Sequence, residues 1–155
     1  MRRPLRLGIV IAVAAILAGC LGPEEQRPGM HLRGEVVADA PSDWAFTDAH
    51  REIAIEVHTP YLLPHSVTIW CATIDGELYL GARDPDTKRW PGWVDRDPDV
   101  RLGIGSKVYE VQLTPLEDPV HIKRLQQAYR LKYELPARRE GEGPPIRYWR
   151  AGPRS

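Results

Sequence analysis

The sequence predicts a mostly β, antiparallel domain with one long helix. Three observations predict it. Two pairs of apolar runs are separated by two-residue turns suited to hairpins, Asp75-Gly76 and Gly105-Ser106. Several short segments alternate apolar and polar residues with the period of two that a strand requires. Only residues 118–133 sustain a helical period, and 15 prolines and 13 glycines in 155 residues leave little room for other long helices.

The chain carries 21 basic and 21 acidic residues, so no positive excess supports a nucleic-acid partner. Its length suits one domain with a core of its own. Residues 1–19 read as a targeting segment. Arg2, Arg3 and Arg6 precede an apolar run, 7–18, that is short for a bilayer span. The run ends in Leu17-Ala18-Gly19-Cys20, which resembles the lipobox of bacterial lipoproteins. That resemblance implies cleavage before Cys20, acylation of its sulfur, and a lipid-anchored, extracytoplasmic protein of the cell envelope. Leu21 in place of aspartate favours the periplasmic face of the outer membrane if the cell is Gram-negative. Removing the three arginines leaves 18 basic residues against 21 acidic, a formal −3. Residues 20–30, rich in Pro, Gly and Glu, are expected to form a tether, and 31–150 the domain.

A first short strand is expected around Glu35 to Val37, then a loop over 40–48 whose Trp44 and Phe46 cover one end of the domain. In 52–58, Ile53, Ile55 and Val57 alternate with Glu52, Ala54 and Glu56, predicting a half-buried strand. Residues 67–74 are apolar on both faces and predict one strand covered on both sides, paired through Asp75-Gly76 with 77–82. Residues 89–97 have an apolar side of Trp90, Trp93 and Val94 and suit one or two helical turns, weakened by Pro91-Gly92. Residues 99–104 and 107–113 form the second hairpin. Asp118 is a favoured N-cap and Pro119 a favoured first helical residue. Ile122, Leu125, Tyr129 and Tyr133 share the apolar face of that helix, which Pro136 ends. Residues 146–149 predict a closing strand.

This order of elements, with 66–80 (SVTIWCATIDGELYL), Lys88-Arg89-Trp90, 96–100 (RDPDV) and Val108-Tyr109-Glu110, resembles the split β-barrel of the pyridoxamine 5′-phosphate oxidase-like flavoproteins and their deazaflavin-dependent relatives. The resemblance covers roughly 34–149. It implies a homodimer that binds FMN or a deazaflavin at the subunit interface. Lys88 and Arg89 would lie near the cofactor phosphate, Ser66 and Thr68 near the ring, and Trp90 would offer an aromatic face.

No other constellation carries a chemistry. The histidines have no metal-ligand spacing, although His58 and His65 flank one turn. Cys71 reads as a buried apolar residue, and no disulfide with Cys20 is expected. Phosphate-binding glycine loops and the Gly-x-Ser-x-Gly nucleophile motif are absent. Two functions follow. One is flavin- or deazaflavin-dependent redox of a small molecule at a membrane. The other is a non-enzymatic envelope lipoprotein that uses the barrel for a ligand or partner.

Overall fold

A computed structural model describes residues 29–137, 139 and 142–155. The expected leader, Cys20 and most of the tether lie outside the described residues. Eight strands, β1 (Glu35–Val37), β2 (Ile53–Val57), β3 (His65–Ile69), β4 (Cys71–Ile74), β5 (Glu77–Arg83), β6 (Asp99–Ile104), β7 (Lys107–Pro115) and β8 (Ile146–Gly152), are joined with two α-helices, α1 (Trp90–Val94) and α2 (Pro119–Tyr133). The sheet order is β3-β2-β6-β7-β8-β5-β4, antiparallel throughout, with β1 added to β7 in parallel. The two end strands of this order, β3 and β4, are consecutive in the chain and separated by Trp70 alone. That continuity rolls the sheet into a split barrel, as expected for the fold class.

The single strand expected over 67–74 is therefore two. β3 pairs with β2, and β4 pairs with β5. The apolar residues on both faces have a simple cause. Ile69 and Cys71 enter the barrel core with Ile55, Leu80, Leu102, Val111 and Trp149. Ala72 and Ile74 pack outside, beneath Leu125, Tyr129 and Ala128 of α2. One chain thus covers that outer face itself, and each of the buried Leu125, Tyr129 and Tyr133 contributes about 1.5–3 kcal/mol by leaving water.

Both hairpin turns form. Asp75 and Gly76 have φ of 54° and 80°, the pair of positive values that a type I′ turn demands, and Ile104 pairs with Lys107 across Gly105-Ser106. A side chain at Gly76 would meet Asp43 Oδ1 at 3.2 Å as well as the left-handed backbone. Gly76→Val is accordingly expected to cost about 1–3 kcal/mol. An unchanged melting temperature would sink the role given to this turn.

The helix begins as expected, with the Asp118 carboxylate accepting from Val120 N at 3.3 Å and His121 N at 3.1 Å. Glu134, at φ 54°, ends it in the left-handed conformation. Strand β2 differs from its expected half-burial, since all five residues are buried. The N-terminal residues cover its outer face, where Leu32 packs with Ala54 and Val108.

Candidate functional site

The candidate residues fall in two places, the end of the barrel closed by α1 and the outer wall of β3. At the barrel end, Asp84 takes φ 49° and turns the chain out of β5. A 3-10 turn, Pro85–Thr87, then delivers Lys88 and Arg89 to solvent at the start of α1. Pro91 lies in the first turn of α1, where its missing N–H has no intrahelical partner to lose, so it favours the helix it was expected to weaken. Trp90 and Val94 are buried, and Trp90 packs on Trp149 with ring centroids 5.1 Å apart. α1 is thus a plug in the barrel end. Trp90 spends its ring on the core rather than on the surface.

The charges at this end are largely settled among themselves. Arg83 Nε lies 3.5 Å from Asp84, and Lys88 Nζ donates to the Arg83 carbonyl oxygen. Arg147 donates to both oxygens of Asp95, at 2.8 and 2.6 Å. Asp97 meets His58 Nδ1 at 2.7 Å. Asp84, Asp95 and Asp97 are thereby engaged by side chains other than Lys88 and Arg89. Among the described residues, the exposed Arg89 guanidinium meets no carboxylate within 4.0 Å.

The wall site is arranged differently. Thr68 is exposed on the outer face of β3, and Ser66 is buried on the same face. The Ser66 hydroxyl accepts from Gly29 N and donates to the Met30 carbonyl, both at 2.7 Å. Main chain of the incoming N-terminal segment therefore occupies it. No hydrogen bond or ion pair among the described residues joins Ser66 or Thr68 to Lys88 or Arg89 within one chain.

This wall also holds an ion pair that no local sequence pattern marks. Glu56 and Arg101 are both buried and sit opposite each other on β2 and β6. Arg101 Nη1 reaches both Glu56 oxygens at 3.1 Å. Glu56 Oε2 also accepts from Leu32 N at 2.5 Å, and the Leu32 carbonyl takes a longer bond from Arg101, 3.4 Å. The far side of Arg101 faces Glu110, which Arg154 approaches at 3.3 Å. The pair pins the N-terminal segment across the sheet. Its only sequence signal is an acid and a base at like-facing positions of two strands, readable only once their register is known.

Around Cys71 the arrangement is structural. Burial pushes its thiol up from the ordinary value, against the pull of Lys132, whose Nζ lies 3.6 Å from Sγ. Lys132 also donates to the Thr47 carbonyl at 3.0 Å, and the Tyr133 hydroxyl receives Cys71 N at 2.9 Å. Burial that favours the protonated form makes Cys71 a poor nucleophile. Trp70, at the β3–β4 junction, stacks on Tyr133 with centroids 4.1 Å apart and planes 7° apart, and its indole donates to Glu52. His58 and His65 do not converge, because His58 binds Asp97 and His65 packs edge-on against Trp93.

Residues 45–141 match the model of a family described as an uncharacterized protein conserved in bacteria, DUF2255. No curated protein matches the chain. Among solved structures, it is similar to a Listeria innocua protein provisionally named a pyridoxamine 5′-phosphate oxidase, at 17% identity over 72% of this chain and 90% of that one, with a TM-score of 0.54. It is similar to an F420-H2 dependent reductase at 14% identity over 66% of this chain and 94% of the other, TM-score 0.50. A third similar structure is a domain-swapped dimer, at 14% identity, covering 64% and 80%, TM-score 0.50. At these identities the likeness establishes the shared split-barrel fold.

Proposed function

The chain belongs to the DUF2255 family, and on that premise we propose a membrane-tethered split barrel that binds a flavin or deazaflavin and performs two-electron redox on a small molecule. The observation that carries this reading is Arg89. It is an exposed guanidinium with no carboxylate among the described residues, beside Lys88, on a fold shared with an F420-H2 dependent reductase. A planar fork of donors with no internal partner suits a phosphate, which it can bind bidentately, and lysine adds a mobile point charge. The phosphate end of such a cofactor therefore fits. When bound, the cofactor supplies the electron-pair transfer, and the protein supplies orientation and electrostatics. Thr68 offers an open hydroxyl on the wall. Since Ser66 and Trp90 are engaged within the chain, they serve the fold rather than the ring. A second copy is the proposed source of the contacts that one chain leaves unjoined, and the domain-swapped neighbour supports an association of this kind. The tether is assigned to Cys20 on the strength of Leu17-Ala18-Gly19-Cys20.

The test is titration of FMN and of a deazaflavin by fluorescence quenching. Lys88→Ala with Arg89→Ala is expected to weaken affinity by about 1.5–3 kcal/mol per charged hydrogen bond lost. Stability should stay within about 0.5 kcal/mol, because both side chains are exposed. Equal affinity of the two forms would falsify the site. The engaged Ser66 and Trp90 favour a second reading, a non-enzymatic lipoprotein, and a chain that binds neither cofactor before mutation supports it.

A further inference from the structure

The loop between β2 and β3 exposes three large apolar side chains in succession. Tyr61 is 54% exposed, Leu62 93% and Leu63 53%. The backbone holds them outward. Leu62 has φ of 63°, Leu62 N bonds to the Thr59 carbonyl at 3.1 Å, and the buried Thr59 hydroxyl donates to the Leu63 carbonyl at 2.6 Å. A leucine in the left-handed region is uncommon, and burial of this one against its own chain does not account for it. Tyr61 stands edge-on to Trp93 of α1, with centroids 6.0 Å apart, and Trp93 in turn meets His65. The Asp97–His58 pair ties the residues just after α1 to the base of the loop. That places the exposed Arg96, which has no carboxylate among the described residues, beside it. Leucines at a tip, a tyrosine–tryptophan pair behind them and one nearby arginine are a composition that suits a lipid headgroup boundary.

The path of the chain favours a bilayer over other occupants. Gly29 and Met30 are bound at Ser66, which pairs with Glu56, one register position from the Val57–His65 pair where the loop begins. The N-terminal segment therefore enters the domain at the end that carries the tip. Eight residues separate Cys20 from Gly29, and at full extension they reach no more than about 30 Å. An anchor at Cys20 would therefore lie within about 30 Å of the end that carries the tip.

We infer that Tyr61, Leu62 and Leu63 form a docking tip that inserts into the headgroup region of the bilayer carrying the lipid anchor, and so fixes the orientation of the barrel on it. This rests on the proposed acylation of Cys20. The test expresses the full chain in a Gram-negative host and places it in vesicles of phosphatidylethanolamine and phosphatidylglycerol, 3:1, with brominated tails. An environment-sensitive dye is attached at Leu62→Cys, or at Leu131→Cys on the exposed face of α2 as the control, while Cys71 stays buried. The dye at position 62 is expected to be quenched at least about twofold and the dye at 131 to be unaffected. Equal quenching at the two positions, no quenching at 62, or cross-linking of the Leu62→Cys thiol to a second copy overturns the inference. Intact mass of the same preparation reports the acyl chains separately. A chain without them disproves the anchor and the inference with it, whereas an acylated chain quenched equally at both positions, or not at 62, overturns the tip and leaves the anchor standing.

Discussion

Arg101→Met is expected to destabilise the protein by about 3–5 kcal/mol, because it leaves the Glu56 carboxylate buried without its counter-charge. Both residues are enclosed, with side chains 11% and 3% exposed, and replacing one partner does not restore water to the other. The N-terminal segment would loosen with it, since Leu32 N and the Leu32 carbonyl both bind this pair. Urea unfolding measures the loss, and faster proteolysis near Met30 reports the loosened segment. The double variant Glu56→Gln, Arg101→Met should recover more than half of the loss. It removes the stranded charge and keeps an acceptor for Leu32 N, whereas Glu56→Leu would orphan that donor at about 1–3 kcal/mol. A single Arg101→Met variant within 0.5 kcal/mol of the parent, on the scale of ordinary surface changes, would remove the pair from any role in holding the segment.

Trp149→Ala is the second large effect, about 3–5 kcal/mol. Trp149 is fully enclosed at the centre of the barrel, in contact with Trp90 of the plug and with the Arg147 guanidinium 4.9 Å above its ring. Truncation would open a cavity beneath α1 and free the Trp90 side chain next to Lys88 and Arg89. The loss should therefore appear in cofactor affinity as well as in stability. Trp149→Phe should cost clearly less. The indole Nε1 has no hydrogen-bond partner among the described residues, so phenylalanine removes a polar group that gains nothing from its burial. Thermal unfolding of the two variants separates these cases, and equal losses would show that the indole ring shape, rather than buried area, governs the site.

Both predictions concern residues whose importance has different visibility in the sequence. Trp149 belongs to a segment expected as a closing strand, and an apolar aromatic there suggests a core position. Arg101 and Glu56 look like the solvent-facing members of two alternating strands, and nothing local marks them as enclosed. The candidate site divides in the same way. Lys88 and Arg89 are exposed at the start of a short helix, where the sequence places them. Trp90 is adjacent to them in the chain but turns inward, because a helical step of about 100° sends neighbouring side chains in different directions. Ser66 is engaged by Gly29 and Met30, residues 37 and 36 positions earlier, a contact that no local pattern encodes.

The hairpin turns, the capped helix and the class of fold are legible along the chain, because each is set by local chemistry. Asp75-Gly76 adopts positive φ, Asp118-Pro119 opens a segment that already has a helical period, and alternation favours a strand. The chain also carries the lipobox-like tetrapeptide on which the membrane proposal stands. Three features emerge only when the chain folds: residues 67–74 break at Trp70 into the two ends of one sheet, the N-terminal segment buries an ion pair against β2 and β6, and the outer face of β4 is covered by α2. These depend on which strands become neighbours. A side chain's exposure is a property of what covers it, and the covering residues lie tens of positions away, so the sequence contains both partners without stating that they meet.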